Sequence, residues 1–146
     1  MTVDVGDLTR MADLAAIQQL GAFYGHFIDK GLWDRIDEVY TDDGVYDGRS
    51  TGLEIWAGRD AIHAWFSVQQ HPLHHISNVY VEAWSDDGNE ATGYSKYLVV
   101  LPDGRLVAGE YDDEYVKTAA GWRYRRRTSR TLASSLGLRA EDVSAS

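Results

Sequence analysis

The chain has 146 residues, a net charge of −9 and no cysteine, which predicts one domain over 1–146, with a core at about 9–132 between two loose polar ends. The acidic charge argues against nucleic acid and anionic membranes as partners, and no run approaches the roughly 18 apolar residues of a membrane span. No basic leader opens the chain, and the lack of cysteine excludes a disulfide framework, so we expect a cytoplasmic protein.

The first half of the chain has the spacing of helices. From Thr9 to Lys30 apolar residues recur every three or four positions, which predicts a helix that ends at Gly31. The same period predicts a second helix over 32–40 and a third over 58–70. Two short strands, "GVYDGR" and "LEIWAG", are expected between them.

The second half has the composition of strands. Four segments rich in β-branched and aromatic residues, beginning at "HHISNVYVEAW", are separated by the turns "DDGN", "PDGR" and "AAG". Tight turns between consecutive strands predict antiparallel pairing. Helices followed by strands indicate an α+β fold, with a sheet that curls around the helices and leaves a pocket between the two layers.

Three of the five histidines lie within "HPLHH" at 71–75. Alternate side chains of a strand share a face, so His74 and Asn78 are predicted to point together into the pocket and His75 away from it. A bulge or a shifted register would bring His75 into the pocket instead, so it stays a candidate for substrate contact. His71 is expected to be structural or at the surface. Because adjacent histidines diverge and no carboxylate is close in sequence, we expect no metal site.

Asp29 ends the first helix, directly after the apolar run "FYGHFI". In one reading it orients a histidine and fixes its tautomer, so that the free ring nitrogen can take a proton from a substrate. In the other it caps the following loop. Tyr24 lies about 140° around the helix from Asp29, so the two share a cavity only if the cavity wraps the helix or the last turn is distorted. Core packing is the alternative reading of Tyr24.

The abundant tryptophans and tyrosines form either a large core or the wall of a cavity for a ring-shaped ligand. We assign Trp56 and Trp65 to such a wall. In "GWRYRRRTSR" alternation places Arg126 on the face of Trp122, whereas Arg127 reaches that face only through a bulge. One of these two arginines is a candidate to hold a polar or anionic group of the ligand. No phosphate loop or dinucleotide fingerprint occurs, so we expect no cofactor.

Five segments together resemble the SnoaL-like branch of the nuclear transport factor 2-like (NTF2-like) superfamily. They are "AAIQQL…Y…ID" in the first helix, "WAGRDAIHAWF" in the third, "HHISN" opening a strand, "AGEYDDEY" in a later strand and "GWRYRRR" near the end. They span about Asp13 to Thr128. The resemblance implies a cone, in which a curved, largely antiparallel sheet wraps three helices around one deep apolar cavity. It also implies a homodimer or homotrimer.

The resemblance further implies roles at individual positions. Lyases of this family that act on scytalone, bile acids and hexachlorocyclohexane share an aspartate–histidine pair, which falls here on Asp29 and His74. The bile-acid dehydratases also carry a tyrosine and an arginine at the places of Tyr24 and Arg127. The hexachlorocyclohexane enzymes have a lysine where this chain has Tyr24, and that departure counts against dehydrohalogenation.

These observations favour a cofactor-independent lyase, a dehydratase or isomerase, that acts on a small hydrophobic ring compound of polyketide or steroid type. His74 is expected to remove a proton next to a carbonyl, Asp29 to orient His74, and Tyr24 to bind the enolate oxygen or protonate the leaving hydroxide. Two alternatives stay open. One is a cyclase or hydrolase that uses the same cavity, and the other is a binding module without chemistry, since a fold does not decide function.

Overall fold

The computed structural model describes residues 8–131. The elements in chain order are α1 (Leu8–Asp29), a 3₁₀ helix (Trp33–Glu38), β1 (Tyr40–Asp47), a 3₁₀ turn (Arg49–Thr51), β2 (Ile55–Ala57), α2 (Arg59–Phe66), β3 (Leu73–Trp84), β4 (Glu90–Val100), β5 (Leu106–Thr118) and β6 (Gly121–Thr131). The loose ends lie outside the described residues, so they and the single domain over 1–146 stay predictions. Within the described part, none of the helices combines the length and the apolar character needed to cross a membrane.

Helix α1 is the long amphipathic helix predicted from its spacing. Its buried side chains form one stripe that faces β3 and β6 and includes Ile17, Leu20, Tyr24, Phe27 and Ile28. The helix ends where Gly31 adopts a positive φ of 61°, a conformation that glycine reaches without strain. The last residue of α1, Asp29, lies next to the beginning of β3, where it accepts a hydrogen bond from the backbone N–H of His74.

The predicted second helix is wrong in extent. A 3₁₀ helix covers only Trp33–Glu38, Arg35 within it has non-helical angles (φ −105°, ψ 19°), and Tyr40 already begins β1. The backbone N–H of Tyr124 in β6 donates to the carbonyl of Val39 at 2.8 Å. This strand pairing draws Val39 and Tyr40 out of the helix, because their apolar side chains are buried equally well in an extended conformation.

The strands form one curved sheet in the order β2-β1-β6-β5-β4-β3. The four consecutive strands β3 to β6 pair antiparallel, as the turns predicted. Strand β1 joins β6 in parallel, and β2 pairs antiparallel with β1. The sheet is thus mixed but largely antiparallel, and the helices cover one face of it, which confirms the α+β fold.

A bulge in β3 breaks the predicted alternation. Asn78 has a φ of 52°, and the register with β4 shifts after Ser77. The extra residue reverses which positions face α1, since the side-chain period of a strand is two. His74 faces inward before the bulge and Val79 after it, whereas Asn78 is exposed and Tyr80 lies on the outer face. The prediction that Asn78 points into the pocket together with His74 is therefore wrong.

Candidate active site

A cavity of about 340 Å³ lies between the helices and the inner face of the sheet. This volume is in the range of small-molecule sites, roughly 300–1,000 Å³. Its wall is mostly aromatic and aliphatic, with two histidines and a few hydroxyl groups, and consists of Tyr24, Ile28, Tyr46, Thr51, Leu53, Trp65, Phe66, His71, Pro72, His74, Tyr97, Val99, Leu101, Val107, Tyr111, Ser129 and Thr131. An apolar wall with few polar groups suits a ring-shaped ligand.

His74 and Asp29 are in contact at the edge of this cavity. Nδ1 of His74 lies 3.3 Å from Oδ1 of Asp29, and the backbone N–H of His74 donates to both carboxylate oxygens, at 2.9 and 3.2 Å. A carboxylate accepts hydrogen bonds, so Nδ1 carries the proton and Nε2 is the bare nitrogen. The His74 side chain is 9% exposed and that of Asp29 is 23% exposed. Asp29 thus holds both the ring and the backbone of the strand end.

Burial and the Asp29 carboxylate shift the pKa of His74 in opposite directions. Burial is the larger effect and lowers the pKa of His74 below its usual 6.5, while the hydrogen bond and the charge of Asp29 raise it. His74 is therefore a neutral imidazole at neutral pH. A neutral imidazole with one anchored and one bare nitrogen has the form required of a general base.

Gly25 lets the strand approach the helix closely enough for this pairing. A Cβ at this position would lie 3.3 Å from the carbonyl oxygen of His74 and 3.6 Å from Cγ1 of Ile76. The small residue one turn before Asp29 therefore brings the His74 backbone within reach of the carboxylate. The motif "YGHFID" combines this close approach with the acidic residue.

Tyr24 is the second residue of α1 that contacts the His74 ring. It is 1% exposed, and its ring meets the imidazole edge to face, with centroids 6.3 Å apart and planes at 90°. Tyr24 and His74 line the cavity, whereas Asp29 reaches the imidazole from outside it. Helix α1 is continuous to Asp29, and both residues reach His74 from it, Asp29 by a hydrogen bond and Tyr24 by a ring contact. Burial raises the pKa of Tyr24 well above its usual range, so it is a neutral phenol that can donate.

A bulge in β6 turns Arg127 into the interior. Glu114 of β5 pairs with Arg126 and Tyr115 pairs with Tyr124, so the register shifts between them. Arg127 is 0% exposed, while Arg126 lies on the other face and donates to Asp47 at 2.6 Å. The bulge that Arg127 needs in order to face inward is therefore present.

Arg127 forms a buried ion pair with Asp113. Its Nε and Nη2 donate to the two oxygens of Asp113, at 2.8 and 2.7 Å, and Nη2 also reaches Tyr124 Oη at 2.8 Å. Its guanidinium carbon lies 4.0–4.2 Å from the centres of three rings, those of Tyr24, Tyr111 and Tyr124. Arg127 does not line the cavity. Nη1 of Arg127 is buried without a hydrogen-bond partner among residues 8–131, and the role of Arg127 in holding a polar or anionic ligand group stays a prediction.

Sequence reasoning missed Asp113, which the period of two would have found. In "YDDEY" alternation puts Asp113 on the buried face with Tyr111 and Tyr115, and Tyr115 Oη donates to Asp113 at 3.0 Å. An acid between two buried tyrosines indicates a buried partner of opposite charge. Arg127 is that partner.

Of the five predicted substrate contacts, only Trp65 lines the cavity. Trp65 is part of the wall, but Trp56 stacks behind it with ring centroids 3.9 Å apart. His75 and Asn78 are exposed and do not line the cavity. His71, expected to be structural or at the surface, lines the cavity. The alternation of side chains in β3 could not predict the position of His71, because His71 precedes the first residue of that strand.

The outer face of the sheet carries a larger but different hollow. This open groove of about 680 Å³ is lined largely by polar and charged residues, and several of the charged ones are paired with one another, such as Arg126 with Asp47 and Arg130 with Asp112. Among residues 8–131 no group of three His, Cys, Asp or Glu side chains is placed to hold a metal ion. The inner cavity is therefore the candidate site.

Comparison with known proteins agrees with this architecture. The model of the SnoaL-like domain matches residues 9–128. An uncharacterized protein of Mycobacterium tuberculosis is 31% identical over 127 residues, covering 82% of this chain and 86% of that protein.

Two solved structures share the fold. An NTF2-like protein with a cystatin-like fold from Novosphingobium aromaticivorans is 27% identical, with a TM-score of 0.72 over 93% of this chain and 97% of that one. LinA is 25% identical, with a TM-score of 0.72 over 86% and 89% of the two chains. The helices, the curved sheet and the match over most of its length show that the chain belongs to the SnoaL-like domain family, within the NTF2-like superfamily.

Proposed function

We propose that the protein is a cofactor-independent lyase that dehydrates a small hydrophobic ring ketone bearing a hydroxyl group. One observation carries the proposal: the Asp29–His74 pair at the edge of an apolar cavity, with Tyr24 beside the imidazole. Placing two ionisable groups at such a cavity is costly unless they are paired. A pair that leaves one nitrogen bare and directed away from its carboxylate is suited to proton transfer.

The reaction removes a proton and a hydroxide from neighbouring carbons. Nε2 of His74 takes the proton from the carbon next to the carbonyl, and the electrons of that C–H bond form the enolate. The enolate then collapses, the C–O bond to the hydroxyl group breaks, and the leaving hydroxide takes a proton from the imidazolium or from Tyr24 to become water. Where Tyr24 supplies the proton, the imidazolium proton returns to the phenolate, so that both residues regain their starting state. The products are a conjugated ketone and one water molecule.

Asp29 and Tyr24 have separate tasks in this scheme. Asp29 keeps Nδ1 protonated, aims Nε2, and stabilises the imidazolium once the ring is charged. Tyr24, held as a neutral phenol, donates to the enolate oxygen or gives its proton to the leaving hydroxide. Arg127, packed against the Tyr24 ring, acts as a positioning residue for that hydroxyl group.

The comparisons support elimination chemistry as the reaction class. LinA is a hexachlorocyclohexane dehydrochlorinase, and dehydrochlorination, like dehydration, removes a proton and a leaving group from neighbouring carbons. Relatives in this superfamily bind small hydrophobic substrates, which fits the aromatic wall of the cavity. The resemblance described under Sequence analysis implies a lysine of the hexachlorocyclohexane enzymes at the place of Tyr24, and this departure counts against chloride as the leaving group.

A screen of cyclic ketones with a hydroxyl group on the second carbon from the carbonyl tests the proposal. Turnover is followed by the ultraviolet absorption of the conjugated product. We expect Asp29→Asn to lower kcat about 100-fold or more with little change in binding, while Asp34→Asn, an exposed acid in the 3₁₀ helix, serves as the control. Equal activity in Asp29→Asn would sink the mechanism, and a ligand that binds but is never converted would favour a binding module.

A further inference from the structure

His71 is a second histidine of the cavity wall, and the proposed reaction does not use it. Its Nε2 lies 2.7 Å from the carbonyl oxygen of Phe66, the last residue of α2. The final carbonyls of a helix lack partners within the helix, and the Phe66 carbonyl accepts this bond beside a longer one, 3.4 Å, from the backbone N–H of Gln69. A carbonyl can only accept, so Nε2 carries the proton and Nδ1 is bare.

The imidazole of His71 is held in place from several sides. Its ring centroid lies 5.3 Å from that of Trp33, 5.2 Å from Phe66 and 5.9 Å from Trp65. Nδ1 has no hydrogen-bond partner among residues 8–131. His71 lines the cavity, so its Nδ1 is, besides Nε2 of His74, a second bare imidazole nitrogen of the wall without a partner among the described residues.

The protonation state of His71 agrees with this role. Burial lowers the pKa of His71 below its usual 6.5, against the smaller opposing effects of the Phe66 carbonyl and the charge of Asp29. The ring is thus neutral at neutral pH, and a neutral ring keeps Nδ1 as an acceptor.

We propose that His71 determines specificity by accepting, at Nδ1, a hydrogen bond from a hydroxyl group on the bound ring. The cavity then selects hydroxylated rings over rings in which the same oxygen is methylated. Calling that ring the substrate rests on the proposed function, whereas recognition of the hydroxyl group is a matter of binding. An acceptor in an apolar wall discriminates because a ligand without a donor leaves it unpaired.

Nitrogen-detected NMR of histidine-labelled protein tests this directly, with 2-naphthol as the probe and 2-methoxynaphthalene as its matched partner without a donor. In the free protein we expect the Nε2 of His71 to be protonated and Nδ1 to be bare. Addition of 2-naphthol should shift the Nδ1 resonance upfield, while 2-methoxynaphthalene leaves it in place. A protonated Nδ1, or an Nδ1 resonance that 2-naphthol does not move at its solubility limit, would overturn the proposal.

Two variants separate the acceptor from the anchor. His71→Gln keeps an N–H for the Phe66 carbonyl and loses the acceptor at the position of Nδ1. His71→Asn can place an amide oxygen near Nδ1 and loses the anchor. The preference for 2-naphthol over 2-methoxynaphthalene should fall about threefold to tenfold in His71→Gln, the value of one neutral hydrogen bond, and fall less in His71→Asn. An unchanged preference in His71→Gln would contradict the inference.

The outcomes distinguish this inference from the lyase proposal. Loss of the His71 response would leave the Asp29–His74 pair and turnover of hydroxy ketones untouched. A response at His71 in a protein that converts none of the ring ketones would keep the recognition of hydroxyl groups and remove the dehydratase.

Discussion

At the scale of single residues, the site depends on which nitrogen of each histidine carries the proton. Asp29 sets this for His74, and the carbonyl of Phe66 sets it for His71. The two rings therefore present different bare nitrogens, Nε2 of His74 and Nδ1 of His71. Neighbouring histidines in one short segment acquire distinct chemical properties from the groups that anchor them.

Neutralising Asp29 changes the titration of His74 in a defined direction. Asp29 raises the pKa of His74 against the larger effect of burial, so Asp29→Asn should move the titration to still lower pH and release the tautomer. A nitrogen-detected pH titration of the five histidines measures both changes. Asp34→Asn should leave His74 as it is, and a His74 titration that ignores Asp29→Asn would show that the pair does not exist in solution.

Removing the hydroxyl group of Tyr24 should impair catalysis more than folding. Tyr24→Phe keeps the ring that packs against His74 and Arg127, and we expect kcat to fall about 100-fold, the lower end of a general acid's contribution. The matched variant Tyr94→Phe removes a hydroxyl group from the outer face, where it binds Glu82. If both variants kept full activity, Tyr24 would be a core residue only.

At the scale of elements, two bulges decide which side chains enter the interior. The bulge at Asn78 moves that residue out, and the bulge in β6 brings Arg127 in. Each inserts one residue, which reverses the side chains that follow; in β3 this reversal lasts until a second register shift between Val81 and Ala83. The close contact between α1 and β3 depends on the absence of a side chain at Gly25.

A methyl group at Gly25 should disturb the Asp29–His74 pair while leaving the helix intact. Alanine favours the helix by about 1 kcal/mol over glycine, but the added Cβ would crowd the carbonyl of His74 at 3.3 Å. We expect Gly25→Ala to lower activity and to alter the His74 tautomer, with little loss of thermal stability. Gly21→Ala, whose Cβ would meet the side chain of Val79, is the control for crowding elsewhere between helix and strand.

Substitutions of Arg127 in β6 and Asp113 in β5 should have strongly non-additive effects on the free energy of unfolding. Arg127→Met leaves a buried carboxylate without its partner, which costs about 3–5 kcal/mol of unfolding free energy. Adding Asp113→Asn to that variant should recover a large part of the loss, because the neutral amide tolerates burial better. Urea unfolding of the single and double variants measures this, and additive effects would argue against a direct ion pair.

At the scale of the whole molecule, the inner face of the sheet lines the cavity and the outer face carries charged side chains. Apolar and aromatic side chains fill the inner face, with paired ionisable groups where the cavity needs them. The outer face holds ion pairs such as Arg126–Asp47 and Arg125–Glu90.

Stability of the fold should decrease as the pH falls below about 6.5. The pKa values of His71 and His74 are lowered by folding, so below the ordinary value of about 6.5 the unfolded chain binds more protons than the folded one. The stability that these residues contribute is present above that pH and is lost as the pH falls through their lowered values. Urea unfolding at pH 7.5 and 5.5 tests this. The difference should shrink in His71→Gln, where one titrating group is removed.

The sequence by itself determined the elements whose cause is local. The spacing of α1, the turn residues between β3 and β6, and the candidates Asp29, His74 and Tyr24 follow from periodicity and from a resemblance carried by short motifs. These features depend on residues a few positions apart, and local forces act over that range.

Only the tertiary structure decided which candidates meet. It inserted the bulges that expel Asn78 and admit Arg127, drew Tyr40 from a predicted helix into β1, and brought His71 into the cavity through the carbonyl of Phe66. In each case the deciding partner is distant in sequence or is a backbone group. A shift of one residue costs little locally but changes which side chains are buried together. The resulting packing energy depends on tertiary contacts and not on the local sequence.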